Sequence, residues 1–158
     1  MTDRIVTSRE TATGSGLAPS TPWHLWAVGA LTLVFNAGGA FDYTMTQTRN
    51  EAYLANFTEE QLIYFNSFPA WSEAFWALGV WGALVGSILI LLRSRYAVWS
   101  FAVALIGLAG STVYQFGIAD MPDSIRTGGA MMFTIIIWAV TIATFLYARA
   151  MTKRGVLR

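Results

Sequence analysis

The chain has 158 residues, 55% of them hydrophobic and only 12% charged, with a formal net charge of +1. That is too apolar for the surface of a water-soluble domain, and the excess must face lipid. The lack of cysteine excludes disulfides, thiolate metal sites and thiol chemistry, one histidine cannot build a metal cluster, and the near-zero charge argues against a nucleic-acid partner.

Residues 1–22 are small and polar, with Arg4 and Arg9, and lack the apolar content needed to fold, so a disordered cytoplasmic tail is expected there. The rival reading is a cleaved signal peptide. It fits poorly, because the polar lead is long and the apolar run after it exceeds a usual signal core. Ser20 or Thr21 ahead of Pro22 predicts an N-cap followed by a proline in the first helical turn.

Four apolar runs follow, at 23–41, 71–92, 96–117 and 129–148. Each is close to the roughly 20 residues that carry a helix across the hydrocarbon. Strands would leave unpaired backbone groups in lipid, and the runs lack the alternation of barrel strands. The expected fold is an all-α membrane protein, a four-transmembrane-helix bundle over residues 23–150, followed by a basic cytoplasmic tail at 151–158. The long connection at 42–70 carries Thr58 with Gln61 three positions on, then Leu62, Ile63 and Phe65, which is a capping box ahead of an apolar face. Asn66-Ser67-Phe68-Pro69 stops it. This predicts a short extracytoplasmic interfacial helix between the first and second spans, serving as a lid or simply as a connector.

Orientation follows from the basic residues. Eight (Arg4, Arg9, Arg93, Arg95, Arg149, Lys153, Arg154 and Arg158) fall on one side of the membrane and two (Arg49 and Arg126) on the other. The positive-inside rule therefore puts both ends in the cytoplasm.

Within the spans, small and polar residues recur at steps of three and four and share one face of each helix. Gly79, Gly82 and Gly86 form such a stripe in the second span, and Gly107 and Ser111 belong to the stripe of the third. Close backbone approach over these positions is the expected packing glue, within the bundle or between copies in a homo-oligomer. Asn36 lies inside the hydrocarbon, where an unsatisfied carboxamide costs several kcal/mol. Two readings stay open for it: a hydrogen bond to a Thr or Ser of another helix, or an amide that binds a solute. Trp138 shares a face with Thr134 and Thr141 near the middle of the last span, where an indole can stack on a small amphipathic molecule or merely fill space between glycine-rich helices. Asp42 and Glu73 flank the long connection as carboxylates at the outer mouth, able to take up a proton or cation, or simply hydrated. No nucleophile or substrate-orienting group accompanies them, so catalysis is not expected, and neither is a cofactor.

Several stretches have a familiar look: the Asn- and Gly-rich end of the first span, Pro69-Ala70-Trp71, Ala74-Phe75-Trp76-Ala77, Gly82-Ala83-Leu84-Val85-Gly86-Ser87, and Arg93-Ser94-Arg95-Tyr96-Ala97-Val98. The pattern resembles a bacterial family of small four-span inner-membrane proteins, some of whose members are named sugar transporters. The resemblance covers about residues 23–117 and implies fold and an inner-membrane location; it carries over no site residues. Two functions are compatible with these readings. One is a carrier of a small neutral solute such as a sugar, bound near Asn36, Thr134, Trp138 and Thr141. The other is an accessory, assembly or sensor protein that works through partners. An ion channel is disfavoured, since no ring of charge or carbonyl filter is visible.

Overall fold

The computed structural model describes residues 21–123 and 125–158, so nearly all of the expected N-terminal tail lies outside the described residues. Among them are six α-helices and no strand: α1 (Trp23–Gln47), α2 (Glu51–Leu54), α3 (Glu59–Asn66), α4 (Ala70–Leu91), α5 (Ala97–Val113), which runs on into one π-helical turn (Tyr114–Ile118), and α6 (Gly128–Lys153). Four helical segments are long and apolar enough to cross a membrane: α1, α4, α5 with its π turn, and α6. The chain is an integral membrane protein built as a four-helix bundle.

Its side chains are arranged inside out relative to a soluble protein. Leu31, Val34, Ile106 and Ile135 on the outer faces are 60 to 75% exposed, whereas Ser72 and Ser87 are fully enclosed and Ser111, Thr141 and Thr144 nearly so. Apolar side chains facing outward gain nothing from burial when the solvent is hydrocarbon. Small and polar residues turn inward, where backbones can approach and most hydroxyls find acceptors, the buried Ser72 Oγ being without a partner among the described residues.

The helix ends depart from expectation in one detail. Pro22 does not occupy the first turn; it is itself the N-cap of α1, with extended backbone (φ −70°, ψ 142°), and no side chain caps that end. The proline ring already sets the φ that a cap requires, so no hydroxyl is needed. At the other end α1 runs past the apolar segment through Asp42 to Gln47, making a rod of about 37 Å at 1.5 Å per residue, longer than the roughly 30 Å hydrocarbon. The capping box forms at α3: Thr58 Oγ1 accepts from the Gln61 N–H at 3.3 Å, and Gln61 Oε1 from the Thr58 N–H at 3.0 Å.

The α4–α5 seam is the tightest contact in the bundle. A Cβ added at Gly82 would meet Ala104 N at 3.0 Å and Ser100 O at 3.1 Å; one at Gly86 would enter the Phe101 ring at 2.7 Å. Gly79 and Gly107 approach each other backbone to backbone, and Ser100 Oγ donates to Gly82 O at 2.7 Å across the seam. The glycine and serine stripes are therefore spent on packing α4 against α5. Antiparallel α1 lies on the other side of α4, with Gly29 against Ile90 and Leu91, Asn36 against Ala83 and Ser87, and the Tyr43 ring edge-on to Trp76 at 5.0 Å.

One end of the bundle is closed. Leu25, Ile90, Ala97, Phe101, Ala148 and Met151 pack there with Val156 and Leu157, which follow α6 and are 4% and 2% exposed. Arg158 completes the closure: its N–H donates to Arg93 O at 2.8 Å and its C=O accepts from the Arg95 N–H at 2.9 Å. Residues 154–158 thus form a strap over the α4–α5 turn. Arg93 takes a left-handed conformation (φ 57°) to make that turn, and Gly155 (φ 70°) does the same to turn the chain back after α6.

Candidate solute-binding cavity

Helix α6 packs most closely along its C-terminal half. Its buried residues are Thr141, Thr144, Ala148 and Met151, whereas 128–133 are all uncovered by the rest of the chain. At the closed end His24 Nδ1 on α1 lies 2.6 Å from Tyr147 OH on α6, holding the two together. Towards the opposite end, where α2 and α3 lie, Gly38 and Gly39 of α1 have open space in front of them. The four spans therefore enclose a wedge that widens away from the strap.

That wedge is a cavity of about 580 Å³, within the range of sites that hold small molecules. Phe35, Phe75, Trp76 and Phe133 supply aromatic walls, and Asn36, Asp42, Ser111, Thr112, Gln115, Thr134 and Thr141 supply polar groups. All four spans contribute. A second hollow of about 620 Å³ lies against α3, lined by Glu59, Glu60, Tyr64 and Asp120, but it is a shallow surface feature and not enclosed by the spans.

The structure places each anticipated residue as follows. Asn36 makes the interhelical hydrogen bond: its Nδ2 donates to Ser87 Oγ at 2.9 Å and Ala83 O at 3.3 Å, and the side chain also lines the cavity. Only the NH₂ can face a backbone carbonyl, so the amide oxygen is the other atom, and it accepts no hydrogen bond among the described residues. Thr134 and Thr141 line the same cavity, with their hydroxyls donated to Ala130 O and Ile137 O. Trp138 is not among the lining residues. Its indole N–H goes to Thr112 Oγ1 at 3.1 Å, which ties α6 to α5. Asp42 lines the cavity and Glu73, in the first turn of α4, does not, so the two carboxylates do not share this mouth. Among the described residues no group of three metal-ligating side chains converges.

Three contributors were not among the candidate binding residues read from sequence. Gln115 and Thr112 enter the wall where α5 passes into its π turn, Gln115 Nε2 donating to Ser111 Oγ at 3.2 Å. Tyr53 on α2 donates its hydroxyl to Asp42 Oδ1 at 2.5 Å. Its pKa is pushed up to about 12, first by this hydrogen bond, then by burial and by the Asp42 charge. The tyrosine thereby orients the carboxylate at the cavity mouth. A Thr112 signal was absent because its neighbour Ser111 carries the stripe; Tyr53 was hidden in a connection with no periodicity to read.

Comparison with protein-family models, curated proteins and solved structures gives no match to this chain.

Proposed function

We propose that the protein is a carrier of a small amphipathic solute, bound between its four spans in the wedge-shaped cavity. The observation that supports this most is that Asn36, Gln115, Thr134 and Thr141 converge from three helices on a space between the spans with aromatic walls. A packing-only bundle would fill that space with side chains. The closed end, sealed by Leu25, Phe101 and Leu157, is what a transport cycle has to open. Helix α6, buried mainly along its C-terminal half, is the element we assign to move. A sugar matches this lining less well than an amphipathic solute does, since a polyol needs many paired donors and acceptors and most of the wall is apolar. The eight-to-two asymmetry of basic residues supports a plasma-membrane orientation with the strap in the cytoplasm and α2 and α3 outside.

Purified protein tested against a panel of amphipathic solutes and sugars, for ligand-induced thermal stabilisation and for uptake into liposomes, decides the matter. Stabilisation that Asn36→Ala abolishes is expected. No response from wild-type protein to any solute would shift the function to an accessory role through protein partners. Reporter fusions after Arg158 and near Asn50 check the orientation: cytoplasmic for the first, external for the second.

A further inference from the structure

The polar groups of the cavity are unbalanced. Most of its donors are already committed: Asn36 Nδ2 to Ala83 O and Ser87 Oγ, and the hydroxyls of Thr112, Thr134 and Thr141 to carbonyls one turn back. The donors left are the second Gln115 N–H, the Ser111 hydroxyl and the Trp76 indole N–H, whose donation no hydrogen bond among the described residues takes up. Acceptors remain in excess, namely Asn36 Oδ1, Gln115 Oε1, the spare lone pairs of Thr134 and Thr141, and the Asp42 carboxylate. The lining contains no lysine, arginine or histidine, so its one formal charge is the negative charge of Asp42.

From this we infer that the solute is an organic cation: an amine whose ammonium group docks at Asp42 and whose apolar body lies between Phe35, Phe75 and Trp76. The inference rests on the carrier reading and names its substrate class. A cation satisfies the surplus acceptors and makes no demand on the few donors the wall has left. A carboxylate set in low-dielectric walls focuses its field on the opening and attracts positive charge. Aromatic faces add to that attraction, since their quadrupole is negative toward the ring face. An anion would meet the Asp42 carboxylate with no cationic side chain in the lining to compensate it. The Tyr53 hydroxyl on Asp42 Oδ1 leaves the second carboxylate oxygen for the ammonium. Asn36 Oδ1, six residues and about 9 Å along the helix, is positioned for a further donor on a longer solute.

The test compares phenethylamine with phenethyl alcohol and phenylacetate, read as equilibrium binding to purified protein in detergent through quenching of tryptophan fluorescence. The amine is expected to bind about tenfold or more tighter than the alcohol, and the carboxylate not at all. Asp42→Asn keeps the acceptor for Tyr53 and nearly the same shape, so it should bring the amine's affinity down to about that of the alcohol. Asp42→Glu, which restores the charge, should recover part of it. Equal binding of amine and alcohol, or an amine preference that survives Asp42→Asn, overturns the cation assignment while leaving a solute site in place. If none of the three binds but a fluorescent phospholipid still quenches with Trp76, the cavity belongs to lipid and both readings fall.

Discussion

Replacing Gly107 by alanine tests the seam on which the cavity is built. A Cβ at that position would lie 2.6 Å from Phe75 O and 2.8 Å from Gly79 Cα. Carbon contacts settle at about 3.5–4.0 Å, so α4 and α5 must part by about 1 Å, and both obstacles are backbone that cannot swing aside. Overpacking of this kind costs about 1–3 kcal/mol, from which the better helix propensity of alanine recovers at most about 1 kcal/mol. The same movement stretches the Ser100 to Gly82 hydrogen bond, now 2.7 Å, and shifts Ser111 and Thr112 on the cavity wall. Gly39→Ala is the matched control, because nothing lies within 4 Å of the added methyl and the helix-propensity gain is unopposed. Reversible unfolding in mixed micelles should show a loss of about 1–2 kcal/mol for Gly107→Ala and no loss for Gly39→Ala. Equal stability of the two variants would refute the backbone-on-backbone account of the seam.

Asn36→Ala removes two interhelical donations; Ala83 O keeps its bond from Ser87 Oγ at 3.0 Å, while Ser87 Oγ loses the donor it accepts from but still makes that bond. A modest loss of about 0.6–2 kcal/mol is expected, with ligand-induced stabilisation abolished; a larger loss of stability would make the residue chiefly structural. Deleting residues 156–158 strips two buried side chains from the closed end and should cost about 3 kcal/mol or more, measured as a lower melting temperature in detergent, whereas an unchanged melt would mean that the strap is not a structural part. Because the folded-state pKa of Tyr53 is raised to about 12, its bond to Asp42 contributes fully below the ordinary phenol range near pH 10 and is lost as pH climbs towards 12. The stability gap between wild type and Tyr53→Phe should therefore close over that window, and a gap constant with pH would contradict the pairing.

The spans were legible because hydrocarbon thickness sets a length and the apolar runs meet it, and the α3 capping box because its two residues act locally. Span limits were less so. Helix α1 continues through Asp42 to Gln47, where hydropathy has already fallen but nothing breaks the helix. The packing stripe of Gly79, Gly82 and Gly107 could be read from spacing, since close approach needs small residues on one face. The convergence of Asn36, Thr134 and Thr141 with Gln115 depends on helix rotation and tilt, which spacing does not encode. Trp138 shows the cost of that gap: it shares a face with Thr134 and Thr141, yet its N–H is drawn sideways to Thr112. Val156 and Leu157 sat unnoticed among basic residues because two apolar side chains in a short segment produce no periodicity.

The one-ended attachment of α6 also has a consequence for the surrounding bilayer. A bundle that is tight at one end and spread at the other occupies unequal cross-sections in the two leaflets. Lateral pressure from the lipids around the wide end then works to push α6 inward, while a leaflet of small-headed or loosely packed lipids relieves it. If the wedge opens and closes as the proposed carrier requires, the balance between its wide and narrow forms is linked to membrane curvature and lipid composition, because the two forms displace different areas of lipid. Solute affinity measured in highly curved vesicles should differ from that in flat bilayers of the same lipids, with the membrane acting as a second ligand of the cavity.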